Sequence, residues 1–281
     1  MAYIEKRYKG INTIEHEIIW NGHYGQKGEK RAPKKKRTPE QIARQNQINK
    51  ENRVRRSIQA NFYPNDYWIT LNYPQGTRKP YKDVKYDFDI FARSLRKEYR
   101  IRGEPLKYLY RIEIGKLGGI HIHFLINRIW GTDLLVQKTW PGGRSHFTHL
   151  REEGGYRRLA AYLTKPLPYE KEVYLKLGMD EKDIKAMTKY GCSRNLEHPE
   201  PERKSYRKKT VRRLLTEGPK PSPGFYIDKE SVHIGINPYT GTSYMSYSEI
   251  RLEQIERCLK PPEEINAGKY IRGKQYKRRK G

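Results

Sequence analysis

Residues 106–127, "LKYLYRIEIGKLGGIHIHFLIN", alternate apolar and polar side chains on both sides of a glycine-containing turn. A period of two residues is typical of strands that bury one face, so the stretch predicts an antiparallel hairpin. This hairpin constrains the fold more than any other segment, because it sends every even-numbered side chain to the core and every odd-numbered one to the opposite face. The apolar positions are Tyr110, Ile112, Ile114, Ile120, Ile122, Phe124 and Ile126.

The odd-numbered positions of the hairpin bring together Arg111, Glu113, His121 and His123. If the turn centres on Leu117, Glu113 lies directly opposite His121, and His123 follows one pleat away. Two imidazoles and one carboxylate leave coordination positions open on a metal ion, as catalytic sites do. Two alternatives stay open. The histidines are also compatible with an ordinary solvated strand face, and a turn shifted by one residue would move Glu113 to the wrong face.

The segments around the hairpin alternate between strand and helix patterns. "DYWITLNY" and "RSHFTHL" have the period of strands, whereas "FDIFARSLRKEY", "TDLLVQKTW" and "GGYRRLAAYLTKP" have helical spacing, the last ended by Pro166. The order β-α-β-β-α-β-α predicts an α+β fold. Its centre is an antiparallel sheet with a split βαβ, ferredoxin-like arrangement.

Three segments are predicted along the chain. Residues 1–60 form a basic N-terminal arm with a helix that begins after Thr38-Pro39, residues 61–215 form the domain around the hairpin, and residues 216–281 form an accessory segment with a basic tail. A further helix is expected in "DEKDIKAMTKYG", closed by Gly191, and a very basic one in "SYRKKTVRRLLTEG". The flanks are therefore expected to be basic and helical or irregular.

The charge of the chain indicates a polyanionic partner. Lys and Arg number 59 against 32 Asp and Glu, which gives a net charge of +27, and the 23 tyrosines offer flat surfaces on which bases can stack. The two cysteines have no CxxC spacing, which excludes a disulfide framework and a cysteine zinc site. Since no apolar run approaches the roughly 18 residues of a membrane span, we expect no membrane partner and a cytoplasmic location, or the host cytoplasm if a phage encodes the chain.

The helix through "YRRLAAYLTK" carries two tyrosines with different roles. Tyr156 is followed at helical spacing by apolar residues and is predicted to lie in the core, whereas Tyr162 shares the opposite face with Arg158 and Lys165. A phenol has a pKa near ~10, so a nucleophilic tyrosine needs a positive environment, which these two cations supply within one turn. Taken alone, a tyrosine beside basic residues is equally typical of a phosphate-binding surface.

Three motifs, "WITLNY", "EIGKLGGIHIHFLIN" and "YLTK", resemble in order and spacing those of HUH endonucleases, the superfamily of rolling-circle replication initiators and conjugative relaxases. The resemblance covers roughly residues 60–170 and is greatest to Rep proteins of phage and plasmid type. It implies His121 and His123 as the metal pair, Glu113 as third ligand, Tyr162 as nucleophile and Lys165 as its companion. Some related phage proteins have a second tyrosine where this chain has Arg158, so a mechanism with one tyrosine is favoured.

The resemblance implies a nickase that cuts single-stranded origin DNA and leaves a 5′-phosphotyrosine and a free 3′-hydroxyl. It implies Mg²⁺ or Mn²⁺ as cofactor, single-stranded or hairpin origin DNA as substrate, and a separate host helicase and polymerase. The side chains that we expect to contact DNA are Thr70, Asn72, Arg111, Arg158, Arg194 and Asn195. The alternatives are a basic DNA- or RNA-binding protein without catalysis, and a relaxase or transposase of the same superfamily.

Overall fold

The computed structural model describes residues 3–22, 38–115, 119–151, 154–165, 170–176, 178–180, 182, 184, 189–237 and 241–261. The lysine-rich run of the N-terminal arm, the centre of the hairpin turn, most of the helix predicted before Gly191 and the basic tail therefore lie outside the described residues. The helices are Pro39–Asn61 (α1), Tyr81–Ile101 (α2), Thr132–Thr139 (α3), Arg157–Thr164 (α4), Glu170–Lys176 (α5) and Lys208–Glu217 (α6).

Two antiparallel sheets organise the described chain. The strands are Tyr3–Lys9 (β1), Thr13–Trp20 (β2), Tyr67–Asn72 (β3), Tyr108–Ile114 (β4), Ile120–Ile126 (β5), Ser145–His149 (β6), Tyr190–Cys192 (β7), Glu202–Tyr206 (β8), Phe225–Ile227 (β9), His233–Ile236 (β10) and Ser243–Arg251 (β11). The first sheet has the order β6-β3-β5-β4-β7, and the second has the order β10-β11-β2-β1-β8, with β9 also paired to β11.

The first sheet confirms the predicted α+β fold and its split βαβ unit. Strands β3 and β4 are connected through α2, and β5 lies between them and is antiparallel to both. The hairpin has the expected register, because Glu113 pairs with His121 and Arg111 pairs with His123. The register with Glu113 on the wrong face is thereby excluded.

Both faces of the first sheet are covered. The even-numbered side chains of the hairpin pack with Phe88, Phe91 and Leu95 of α2 in one hydrophobic core. On the other face, Leu109 and Leu125 contact the apolar sides of α1 and α4 in a second core. The face that carries the histidines is thus apolar and buried at one end and polar at the other, and α4 lies across it.

The second sheet was not predicted from the sequence. Its strands come from all three predicted segments, since β1 and β2 precede residue 60, β8 lies before residue 215 and β9 to β11 follow it. Charged side chains inside it disguise the strand pattern. His16 Nδ1 lies 2.8 Å from Glu5 Oε1 and its Nε2 lies 3.3 Å from Glu249 Oε1, and all three residues are buried. The boundaries of the three segments stay a prediction.

Helix α1 joins the two sheets. Its apolar side packs on the first sheet, while Arg55 and Arg56 on its other side form ion pairs with Glu15 of β2, at 2.5 and 2.6 Å. Helix α6 packs on the opposite face of the second sheet through Val211. The layers therefore run from α2 through the first sheet, α1 with α4, and the second sheet to α6.

The end of the described chain, residues 252–261, crosses the protein as a strap. The side-chain amide of Asn65 exchanges two hydrogen bonds with the backbone of Arg257, both near 2.8–2.9 Å. The Arg257 guanidinium donates to both carboxylate oxygens of the buried Asp66, at 2.6 and 2.9 Å. The strap thus ties the accessory segment to the loop between α1 and β3.

One local prediction is wrong. Gly191 does not close a helix but lies in β7, where it pairs with Tyr110. A Cβ at this position would lie 2.2 Å from the Tyr110 ring, so the glycine permits a close approach between strand and aromatic side chain. Among the described helices, none combines the length and the hydropathy that a membrane crossing requires.

Candidate metal centre and tyrosine site

Three side chains on the polar end of the β4–β5 face form the candidate metal centre. One ligand atom from each of Glu113, His121 and His123 lies within 4.8 Å of the others. Nε2 of His121 is 3.6 Å from Glu113 Oε1, and Nε2 of His123 is 3.5 Å from Glu113 Oε2. Two nitrogens and a carboxylate that converge from adjacent strands fit a divalent cation and leave positions open to a substrate.

Burial favours the ligand form of His123. Desolvation lowers the pKa of this imidazole, and the neighbouring His121 and Arg111 act in the same direction, while a hydrogen bond with Glu113 opposes them. A histidine whose pKa lies below its usual value is neutral at neutral pH, and the neutral ring is the form that binds a metal. The site therefore suits a cation without prior loss of a proton from His123.

Tyr162 faces this centre. Its hydroxyl donates a hydrogen bond to Glu113 Oε2 at 2.5 Å, and its ring centroid lies 5.1 Å from that of His123 in an edge-on arrangement. Tyr156 on the same helix is buried, 3 % exposed, in the core between α1 and the sheet. The separation of the two tyrosines into a core residue and a site residue is thus the one expected from their helical spacing.

The C-terminal end of α4 is held by two cations. Arg111 Nη1 donates to the backbone oxygens of Tyr162 and Lys165, the latter at 2.7 Å, and Lys50 Nζ donates to Thr164 O at 3.2 Å. The carbonyl end of a helix carries partial negative charge, so both cations stabilise it. The Arg111 guanidinium also lies 5.6 Å from the centre of the Tyr162 ring.

This placement contradicts the prediction that Arg111 contacts DNA. The side chain is fully buried, 0 % exposed, beneath the end of α4. Strand alternation correctly assigned Arg111 to the histidine face, but it cannot show that a helix covers this part of the face. The tertiary contact with α4 replaces the predicted contact with a phosphate.

Lys165 is directed towards α1. Helix α4 ends at Thr164, so Lys165 is no longer helical, and its Nζ lies 3.2 Å from Glu51 Oε1. The cation that the structure places beside the Tyr162 ring is Arg111. The assignment of Lys165 as the companion of the nucleophile stays a prediction.

Thr70 and Asn72 lie beside the ligands, as their strand predicts. Thr70 pairs with His123 and Asn72 pairs with His121, and Thr70 Oγ1 lies 3.4 Å from His123 Nδ1. Trp68 was not predicted as part of the site, yet its ring stacks on His123 with centroids 5.4 Å apart. Its even-numbered position in β3 places it on the same face, a signal that the register of β3 against β5 makes readable.

The other predicted DNA contacts lie away from the centre. Arg158 is exposed on α4. Arg194 and Asn195 line a cleft of about 950 Å³ with Arg96 and Arg100 of α2, the helix that covers the opposite face of the sheet. The structure does not bring them to Tyr162, and their contact with DNA stays a prediction.

The split βαβ sheet, the His-x-His pair and the tyrosine helix define a protein of the rolling-circle replication initiator class, which the sequence motifs also indicate. Residues 66–167 match the family model described as replication-associated protein, ORF2 type, and this segment belongs to that family. It contains the three candidate ligands and Tyr162. The match supports a role in the initiation of replication. No curated protein and no solved structure was found to match the chain.

Proposed function

We propose that the chain is a metal-dependent endonuclease that nicks single-stranded DNA at a replication origin, with Tyr162 as nucleophile. The observation that carries the proposal is the hydrogen bond of 2.5 Å from the Tyr162 hydroxyl to Glu113, a member of the candidate metal centre. A phenol aimed at a centre that can hold a divalent cation has the two partners that attack on a phosphodiester needs.

The metal would be held by Glu113, His121 and His123, and the resemblance to Rep proteins favours Mg²⁺ or Mn²⁺. When bound, such a cation polarises a phosphate oxygen and neutralises charge that develops on it. Glu113 has two oxygens, so one can face the cation while the other accepts the proton of Tyr162. Trp68 and the half-buried Thr70 hold the His123 ring in place beside them.

The chemistry of the proposed step balances within the site. The Tyr162 oxygen bonds to phosphorus, and the bond between phosphorus and the 3′ oxygen breaks. The proton that Tyr162 donates to Glu113 offsets the proton that the leaving 3′ oxygen takes up. The products are a 5′-phosphotyrosine and a free 3′-hydroxyl, and the reverse reaction rejoins the strand without ATP. Arg111, through the carbonyls of α4, fixes the end of the helix on which the nucleophile lies.

The test is detection of a covalent protein–DNA adduct. Supercoiled DNA that bears the origin is incubated with the protein and Mn²⁺, and the nicked product is analysed for linked protein. We expect an adduct with the wild type and none with Tyr162→Phe, which removes one oxygen and keeps the ring. Tyr156→Phe is the matched control, because this buried residue lies on the same helix.

A non-catalytic nucleic-acid-binding protein gives a different result. In that case the wild type binds the DNA but produces no adduct at any divalent metal concentration, and Tyr162→Phe does not differ from it. An adduct that persists in Tyr162→Phe would assign the reaction to another residue. Either outcome would refute Tyr162 as the nucleophile.

A further inference from the structure

Helix α6 exposes a concentrated basic surface far from the tyrosine site. Its sequence, "KKTVRRLLTE", contains four cations and one acid, and Lys208, Lys209, Arg212 and Arg213 are all exposed. The opposite side of the helix packs on the second sheet through the buried Val211. We call the four exposed cations the basic face of α6. Within the part of the chain that the structure describes, no ion pair with a carboxylate involves any of them.

The arrangement of these charges does not stabilise the helix. Lys208 and Arg212 are four residues apart, as are Lys209 and Arg213, and like charges at this spacing repel each other. The two lysines also occupy the first turn, where the helix dipole disfavours cations, while the first turn has no acid and the last turn has no base. A polyanion bound to this face would offset both unfavourable effects.

The chemistry of the face favours duplex DNA over a single strand. Sites for single strands combine cations with aromatic rings on which bases stack, and α6 contains no aromatic residue. The tyrosine site does have such rings, in Trp68 and Tyr162. An α-helix fits the major groove, which is about 12 Å wide, and its cations then reach the phosphates that line the groove.

We propose that the basic face of α6 binds double-stranded DNA, and that this duplex flanks the strand that Tyr162 nicks. Helix α6 covers the side of the second sheet opposite α1, so α1 and the second sheet separate it from the histidine face of the first sheet. The protein would hold duplex DNA on one layer while a single strand occupies another. The identity of this duplex as origin DNA rests on the proposed function, whereas the binding itself does not.

The experiment measures how salt changes the affinity for two probes, a mixed-sequence duplex of about 20 base pairs and an oligothymidine of about 20 nucleotides. The variant replaces all four cations of the basic face by glutamine, which has a similar helix propensity. If four phosphate contacts are lost, the slope of log K against log salt for the duplex falls by about 3 to 4. The slope for the oligothymidine stays unchanged.

The matched control removes equal charge from another helix. Lys82, Arg93, Lys97 and Arg100 are exposed on α2, and their replacement by glutamine is expected to leave the duplex slope within about 1 of the wild type. A double variant, Lys208→Gln with Lys209→Gln, is expected to lose about half of the slope change, which gives a second measurement if the fourfold variant folds poorly. Circular dichroism verifies the fold of each variant.

Three results would overturn the proposal. They are an unchanged duplex slope in the α6 variant, an equal loss in the α2 control, and an equal loss for the oligothymidine. Failure of the proposed function is seen separately, because Tyr162→Phe abolishes the adduct but keeps the duplex slope of the wild type. The α6 variant, in turn, keeps adduct formation on a single-stranded substrate.

Discussion

Replacement of Arg111 by methionine tests how the nucleophile is positioned. Methionine has a similar length but no charge, so the backbone oxygens of Tyr162 and Lys165 lose their donor. A buried group that loses its hydrogen bond costs about 1–3 kcal/mol, which gives about 2–6 kcal/mol for two. Because Lys165 is exposed and water can reach the end of α4, we expect the free energy of unfolding to fall by about 2–4 kcal/mol.

The assays are urea unfolding and the rate of adduct formation. The metal ligands lie on the strands, so we expect the affinity for Mn²⁺ to change by less than about threefold, while kcat of nicking falls at least about tenfold. Lys50→Met is the matched control, since Lys50 makes one contact at the same helix end and its loss is expected to cost about 1 kcal/mol. A loss below about 1 kcal/mol in Arg111→Met, with an unchanged rate, would refute the reasoning.

Three further predictions concern residues outside α4. Thr70→Val removes the hydroxyl beside His123 Nδ1 and is expected to weaken Mn²⁺ binding about tenfold in calorimetric titration, whereas an unchanged affinity would exclude a role in holding the ring. Asp66→Ala leaves the Arg257 guanidinium without its buried carboxylate and is expected to cost about 3–5 kcal/mol in urea unfolding, more than Asp66→Asn. Desolvation would raise the pKa of Glu5, but hydrogen bonds from His16 and Tyr206 outweigh it and lower the pKa below 4.5, so stability falls as the pH drops below about 4.5, and Glu5→Gln should flatten this dependence.

The first sheet could be predicted from the sequence because its two faces differ in polarity. The alternation over β4 and β5 fixes which side chains are buried, and register then follows from the turn. The prediction placed Glu113 and His121 opposite each other for this reason. The second sheet could not be predicted in the same way, because Glu5 and His16 are charged or polar residues buried inside it, and a pattern of hydropathy reads them as exposed.

The error at Arg111 has a related cause. The period of a strand gives the face of a side chain but not the layer that covers that face. Helix α4 follows β6 in the sequence and crosses back over β4, so the contact between Arg111 and the α4 carbonyls joins residues more than 50 positions apart. Lys50 of α1 is hidden from sequence patterns for the same reason, since it meets Thr164 only in the folded chain.

Stability and function depend on the same register in this protein. Leu109 and Leu125 pair across β4 and β5 and anchor the sheet beneath α1 and α4, and Glu113 and His121 pair on the same face four residues away along each strand. A slip by one residue would expose the leucines and turn the carboxylate away from the imidazoles at once. The hydrophobic contacts at one end of the face therefore hold the ligands at the other end in place. A site built on strands in this way needs only its nucleophile to be fixed separately, by the cations at the end of α4.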